Sequence, residues 1–186
     1  MKDVTFITGN QGKADFLAKH VDGHIKHQKV ELDEIQSLSL KEVTAHKAKQ
    51  AFAMVKSPVL VEDVEFCLRA LGNLPGPFIK WMEKAIGADG ICSLVDKLEN
   101  RDVTIAVCFA YYDGKSISYF RGSMNGKVSK EPMGDNGFGF DPIFMPAGHN
   151  KTFAQMTDEE LEKYSLRTTT VYPQIKNFLG ELDKIS

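Results

Sequence analysis

Apolar residues recur along this chain with two different periods, which alternate from one end to the other. Short runs rich in β-branched and aromatic residues predict strands, and apolar residues spaced three or four apart predict helices. The predicted strands are Val4–Ile7, Ile25–Leu32, Pro58–Val61, Val103–Tyr112 and Lys115–Arg121. The predicted helices are Lys13–Val21, Leu40–Val55, Phe78–Ile86, Asp89–Leu98 and, with an interruption near 168–173, Thr157–Leu182. This alternation, with one Asp-Gly hairpin turn, predicts an α/β fold with a mixed sheet flanked by helices.

Length and composition describe a soluble protein of ordinary size. The 186 residues are 42% hydrophobic and 26% charged, which is typical of a globular protein, and we interpret residues 1–186 as one domain. The formal net charge of −2 disfavours a nucleic-acid partner, because such binding needs a basic face. The apolar run after Asp3 is too short for a signal peptide or a membrane span. We therefore expect a cytoplasmic protein with no membrane partner.

A short polar turn, Thr8-Gly9-Asn10-Gln11-Gly12-Lys13, joins the first predicted strand to the first predicted helix. The amide groups that begin a helix carry partial positive charge and bind anions, and Lys13 adds a full charge. The turn is not a Walker loop, since Lys13 is followed by Ala14 rather than by Ser or Thr. An ordinary turn with a surface lysine explains these residues equally well.

Carboxylates follow the next strongly apolar strand. Glu62 and Asp63 come directly after Val61, and acids at the strand ends of α/β proteins face the ligand crevice. Mg²⁺ prefers oxygen ligands and keeps several waters, so one or two carboxylates hold it against a phosphate. Glu34 is a candidate second ligand, and Lys47 lies on the second predicted helix. The alternative is that these are strand-end surface acids and a solvated lysine.

Two aromatic residues alternate with two glycines in the segment Gly137-Phe138-Gly139-Phe140-Asp141-Pro142. Glycine lets a backbone approach a ligand closely, and aromatic faces stack on flat rings such as nucleobases. An ionised Asp141 accepts hydrogen bonds from N–H groups at a base edge. The alternative is a glycine-rich turn with two phenylalanines in the core.

Five ordered segments, which together cover nearly the whole chain, resemble the inosine triphosphate pyrophosphatase family, the HAM1-type nucleoside triphosphate pyrophosphatases. They are Thr8 to Lys13, Leu60 to Asp63, Leu74 to Trp81, Gly137 to Phe144 and Lys151 to Met156. The resemblance implies an elongated α/β fold with two lobes around a central nucleotide cleft. It also implies a homodimer that uses Mg²⁺ to hydrolyse ITP, dITP or XTP to the monophosphate and pyrophosphate.

The resemblance assigns roles on the phosphate and metal side of such a site. It implies that Asp63 is the catalytic carboxylate and a metal ligand, with Glu34 as the second metal carboxylate. The phosphate loop and its neighbourhood would be formed by Thr8, Gly9, Asn10, Lys13 and Lys47.

On the base side, the resemblance implies that Phe138 stacks on the base and that Asp141 meets its edge. Gly139 and Phe140 would belong to the same substrate-binding wall, and Arg167 would lie near a purine oxygen.

Four residues depart from the family pattern. Phe16 replaces a glutamate, Val64 replaces a threonine after the catalytic aspartate, and Leu161 and Leu166 replace a lysine and a histidine near the base. Base selection depends on polar groups that pair with the purine edge. Two alternatives therefore stand beside the hydrolase: a non-catalytic nucleotide-binding or sensor protein, and a pyrophosphatase with an altered base preference.

Overall fold

A computed structural model describes residues 3–21 and 25–185. The strands are β1 Val4–Ile7, β2 Ile25–Gln28, β3 Val59–Leu68, β4 Pro75–Gly76, β5 Asp102–Tyr112, β6 Ile117–Val128 and β7 Phe144–Pro146. The helices are α1 Gln11–His20, α2 Leu40–Val55, α3 Ile79–Lys97, α4 Asp158–Tyr164 and α5 Tyr172–Ile185. None of the helices in these described ranges is long and apolar enough to cross a bilayer.

One mixed sheet connects these strands in the order β2-β1-β3-β5-β6-β7, with β4 paired to β3. Strand β1 lies parallel to both β2 and β3, and in the second pair Ile7 is opposite Val61. The pairs β3–β4 and β6–β7 are antiparallel. The predicted α/β fold with a mixed sheet is confirmed.

The chain divides into two compact units. Unit 1 comprises Met1–Asp63, Val107–Gly122 and Arg167–Ser186, and unit 2 comprises Val64–Ala106 and Ser123–Leu166. Strands β3, β5 and β6 therefore contribute residues to both units. The interpretation of residues 1–186 as one domain stays a prediction.

The core of unit 1 forms where α2 packs on the sheet. Ala48 and Ala51 of α2 are fully buried against Ile7, Val59 and Val61, because small side chains allow a helix to approach a sheet closely. Helix α2 begins as predicted: the Ser39 hydroxyl accepts a hydrogen bond from the Glu42 N–H at 3.3 Å, which satisfies one open amide of the first turn.

Strand β3 differs most from the sequence prediction. It continues to Leu68, so Glu62 and Asp63 lie within the strand rather than after it. The acids at 62, 63 and 65 interrupt the apolar run, and this concealed the second half of the strand. Strand β6 also continues past Arg121 to Val128, because its polar residues alternate with buried ones there.

Other boundaries shifted as well. Strand β2 ends at Gln28 rather than Leu32, since its partner β1 is only four residues long. Helix α1 begins at Gln11, and β7 was not predicted. The helices predicted at 78–86 and 89–98 appear as α3, whose Gly87 is non-helical.

The interruption predicted near 168–173 in the last helical segment falls earlier in the structure. Helix α4 ends at Tyr164, and a π-helical turn at Arg167–Val171 precedes α5.

Candidate functional site

The turn after β1 is built around the N-terminus of α1. The Asn10 side-chain oxygen accepts a hydrogen bond from the Lys13 N–H at 3.1 Å, and the Asn10 N–H donates to the Thr8 hydroxyl at 3.1 Å. No acidic residue lies in the first turn of α1. The local geometry therefore leaves this helix terminus electrostatically suited to an anion.

The register of the sheet brings β3 to this turn. Because Ile7 pairs with Val61, the two acids that follow Val61 lie level with the residues that follow Ile7. Consecutive side chains of a strand point to opposite faces. Glu62 and Asp63 accordingly have different partners, described below as the Glu62 cluster and the Lys47 cluster.

In the Glu62 cluster, one carboxylate binds two cations. Oε1 of Glu62 lies 3.1 Å from Lys13 Nζ and 2.6 Å from Arg167 Nη2. The Glu62 side chain is only 1% exposed, and burial favours its neutral form. The charges of Arg167 and Lys13 outweigh this effect and hold the pKa of Glu62 below its usual range. The second oxygen, Oε2, is buried without a hydrogen-bond partner among the described residues.

In the Lys47 cluster, one ammonium binds two carboxylates. Lys47 Nζ lies 2.7 Å from an oxygen of Asp63 and 2.9 Å from an oxygen of Glu34. Burial lowers the pKa of Lys47, but the two carboxylates raise it more, so the pKa is above its usual value.

Helix α2 also fixes the segment that carries Glu34. The Asp33 N–H donates to Oε1 of Gln50 at 2.8 Å, and Nε2 of Gln50 donates to the Asp33 carboxylate at 2.7 Å. This reciprocal pair holds Glu34 near Lys47, although the segment has no regular secondary structure.

The glycine-rich segment lies in unit 2, where its two phenylalanines differ. Phe140 is buried, with its ring centroid 5.1 Å from that of Phe66 and 6.3 Å from that of Phe144. Phe138 is half-buried, and its N–H donates to Oδ2 of Asp141 at 2.8 Å. One Asp141 oxygen therefore closes the turn, and Phe138 is the better placed of the two rings for a ligand.

A second segment, residues 152–154, forms hydrogen bonds with this turn and the loop before it. The Ala154 N–H donates to the Asp141 carbonyl at 3.1 Å, and the Asn136 N–H donates to the Ala154 carbonyl at 3.2 Å. The Met133 carbonyl accepts from the Thr152 hydroxyl at 2.6 Å. Several hydrogen bonds thus fix the backbone that carries Phe138.

The predicted site residues fall into two groups. The first, all in unit 1, contains Thr8, Gly9, Asn10, Lys13, Glu34, Lys47, Asp63 and Arg167. The second, in unit 2, contains Phe138, Gly139, Phe140 and Asp141. The structure brings Lys47, Glu34 and Asp63 into direct contact, and their functional roles stay predictions.

The sequence places Glu62 with Asp63 as a candidate metal carboxylate, but its pairing with Arg167 was not predicted. The apolar run before it gives a signal for its burial, because Glu62 continues a strand whose residues Val59–Val61 are all buried. A buried carboxylate requires cationic partners. Nothing local in the sequence, however, points to an arginine 105 residues away.

The departures from the family pattern pack as apolar groups. The ring of Phe16 lies 4.5 Å from the His20 ring and 6.0 Å from the Tyr172 ring. Leu166 is buried, whereas Leu161 is half-buried on α4. None of these side chains supplies a polar group to a ligand.

A helix terminus next to carboxylates on the neighbouring strand is typical of α/β proteins that bind phosphorylated ligands. The sequence profile of the Ham1 family matches residues 4–173, and the chain belongs to this family.

Curated relatives resemble the chain over most of its length. Inosine triphosphate pyrophosphatase 2 of Trypanosoma cruzi is 39% identical over 168 residues, which are 88% of this chain and 86% of that protein. Inosine triphosphate pyrophosphatase of Schizosaccharomyces pombe is 40% identical over 173 residues, 90% of each chain. The dITP/XTP pyrophosphatase of Saccharolobus solfataricus is 36% identical over 164 residues, 87% of this chain and 85% of that protein.

A solved structure supports the fold. The HAM1 protein from Coxiella burnetii has a TM-score of 0.83 and 22% sequence identity, and the match covers 97% of this chain and 100% of that one. At this identity the likeness shows the fold alone.

Proposed function

We propose that this protein hydrolyses the triphosphates of deaminated purine nucleosides, ITP, dITP and XTP, to the monophosphate and pyrophosphate. The observation that carries the proposal is the pair of clusters at β3. Counting only the three side chains in each, the Glu62 cluster carries two positive charges and one negative. The Lys47 cluster carries one positive and two negative. Together they suit a phosphate and a metal cation, and relatives named for this hydrolysis support the assignment.

The triphosphate binds at the turn after β1. Backbone amides at the start of α1 and the Lys13 ammonium attract its oxygens. Arg167 adds a second positive charge next to Lys13, because both bind the same Glu62 oxygen. These groups stabilise the negative charge that develops on the departing pyrophosphate.

Mg²⁺ fits the donor set of the Lys47 cluster. Both carboxylates already direct an oxygen at one cation, the Lys47 ammonium, and no described group of three or more His, Cys, Asp or Glu residues suits a metal. Two carboxylates suffice for Mg²⁺, which keeps most of its waters. Glu34 and Asp63 would hold the ion. When bound, it would neutralise phosphate charge and lower the pKa of a bound water.

The reaction replaces one P–O bond with another. A water oxygen forms a bond to the α-phosphorus, while the bond from that phosphorus to the bridging oxygen breaks and pyrophosphate leaves. The Asp63 carboxylate orients the water and accepts its proton, which then passes to solvent. Phe138 stacks on the base, and the hydrogen bonds around its turn keep the ring in place.

Pyrophosphate release from ITP, dITP, XTP, GTP and ATP, with Mg²⁺ and with a chelator, tests this proposal. We expect Mg²⁺-dependent turnover that is fastest with the deaminated purines and at least about 100-fold slower in Asp63→Asn. Asp183→Asn, which changes an exposed acid of α5 in the same unit, serves as the control and should behave as the unchanged protein. Equal rates in both variants would refute the assignment of Asp63.

A non-catalytic nucleotide-binding protein is the second candidate. Phe16 favours it, because its ring packs on His20 and Tyr172 where the family pattern has a carboxylate. Calorimetry separates the two: tight ITP binding without pyrophosphate release supports a binding protein, whereas sustained release excludes it. Altered base preference would appear in the same nucleotide panel as faster hydrolysis of a different base.

The proposal extends to a cytoplasmic homodimer. The dimer rests on the resemblance to the family, and light scattering after size exclusion tests it against the chain mass of 20.7 kDa. A mass near twice this value supports the dimer, and a mass near this value refutes it.

A further inference from the structure

A carboxylate outside the proposed catalytic groups lies over the glycine-rich turn. Glu83 belongs to α3, in the same unit as Phe138. Both of its carboxylate oxygens are 3.8 Å from the position that a Cβ atom on Gly139 would occupy. Gly139 directly follows Phe138, so Glu83 lies beside the part of the turn that carries the proposed stacking ring.

The surroundings of Glu83 favour its neutral form. Partial burial is the larger cause and the nearby Asp141 charge is the second, and together they raise the pKa of Glu83 to about 7. On the same helix, Lys80 Nζ and Lys84 Nζ lie 5.4 and 5.6 Å from the Trp81 ring centroid. Strand β4, which contacts α3, carries no titratable side chain.

No described residue donates a hydrogen bond to Glu83 or forms an ion pair with it. Asp141 differs, since Oδ2 of Asp141 already accepts the Phe138 N–H. A neutral carboxylic acid in such surroundings is a hydrogen-bond donor. The Glu83 hydroxyl is therefore available to a ligand.

We propose that Glu83 is a specificity-determining residue whose carboxyl group hydrogen-bonds to the 6-oxo group of a purine stacked on Phe138. This inference rests on the proposed function, and it assigns the hydrogen bond to the base to Glu83 of α3. The base would thus have a hydrogen-bond donor although Leu161 and Leu166 supply none.

The chemistry separates oxopurines from adenine. Hypoxanthine and xanthine present an oxygen acceptor at position 6, whereas adenine presents an amino donor. Neutral Glu83 donates to the oxygen, but ionised Glu83 only accepts and so favours the amino group. The preference for ITP over ATP should therefore weaken as Glu83 loses its proton.

The ratio of kcat/KM for ITP to kcat/KM for ATP, measured from about pH 6 to about pH 8, tests this inference. Because both substrates undergo the same reaction at the phosphate, the pH dependence of that reaction cancels in the ratio. With Glu83 titrating near pH 7, we expect the ratio to fall about 3- to 10-fold over this range, as for the loss of one hydrogen bond. In Glu83→Gln, whose amide donates at every pH, the ratio should not change with pH.

Asp89→Asn, which changes an exposed acid of the same helix, is the matched control and should retain the pH-dependent ratio. The inference is overturned if Glu83→Gln retains it too, or if the ratio of the unchanged protein is flat. If no nucleotide is hydrolysed, the hydrolase proposal fails by itself. The same ratio is then measured from the dissociation constants of ITP and ATP by calorimetry, with the same expected pattern.

Discussion

At the scale of single residues, the protein concentrates its buried charge in two groups that each share one central ion. Glu62 binds Lys13 and Arg167 through one oxygen, and Lys47 binds Glu34 and Asp63. A shared central ion makes each group interdependent, because its removal leaves two like charges facing each other in a poorly hydrated place.

Replacement of Glu62 by glutamine should therefore destabilise the protein strongly. The change leaves the Lys13 and Arg167 charges without their buried counter-ion, and we expect a loss of about 2–4 kcal/mol in the free energy of unfolding. Urea denaturation measures it, with the exposed Glu31→Gln as the control. A loss no larger than that of the control would show that the cluster contributes nothing to stability.

At the scale of elements, the loop that leads into the glycine-rich segment depends on close backbone contact. Gly134 has a φ of +86°, and a Cβ atom there would overlap the backbone carbonyl group of Ala154. Gly148 has a similar φ of +83°, but nothing lies within 4 Å of its Cβ position. The two glycines thus separate the effect of backbone conformation from the effect of contact.

Gly134→Ala should destabilise the protein more than Gly148→Ala. The backbone conformation alone costs about 1–2 kcal/mol in both variants. The clash with the backbone of Ala154 adds about 1–3 kcal/mol in Gly134→Ala only. Thermal or urea unfolding of the two variants checks this, and equal losses would contradict the close contact.

Sequence patterns predicted the elements well where one signal dominated. The apolar period and the Ser39 cap located α2, and the strongly apolar runs located β1 and β5. The second half of β3 was missed because its acids are stabilised by partners that other segments bring. For the same reason, the contacts of Glu62 with Arg167 and of Lys47 with Asp63 could not be predicted from local sequence.

At the scale of the whole molecule, stability depends on pH through two carboxylates whose pKa values are shifted in opposite directions. The pKa of Glu83 is raised in the folded state. The folded protein therefore keeps a proton on Glu83 at pH values above 4.5, the ordinary pKa at which the unfolded chain loses it. The contribution of Glu83 to the free energy of unfolding is favourable at low pH and is lost as the pH rises to about 7. Glu62 has a lowered pKa, so its contribution is present above pH 4.5 and is lost below it.

Glu83→Gln should remove the first of these effects. Relative to the variant, the unchanged protein should lose about 1–2 kcal/mol between about pH 5 and about pH 8, a value reduced for the partial exposure of the carboxylate. Urea denaturation across this range measures the difference. A constant difference would mean that Glu83 titrates alike in the folded and unfolded states.

The contact between Glu62 and Arg167 also bears on how the protein is made. The two residues are 105 positions apart, and a ribosome adds about 5–20 residues per second. On the order of 5–20 s therefore pass between the synthesis of Glu62 and that of its arginine. During this interval Glu62 has only Lys13 as a cationic partner, so unit 1 completes its core only after the chain has been extended past residue 167.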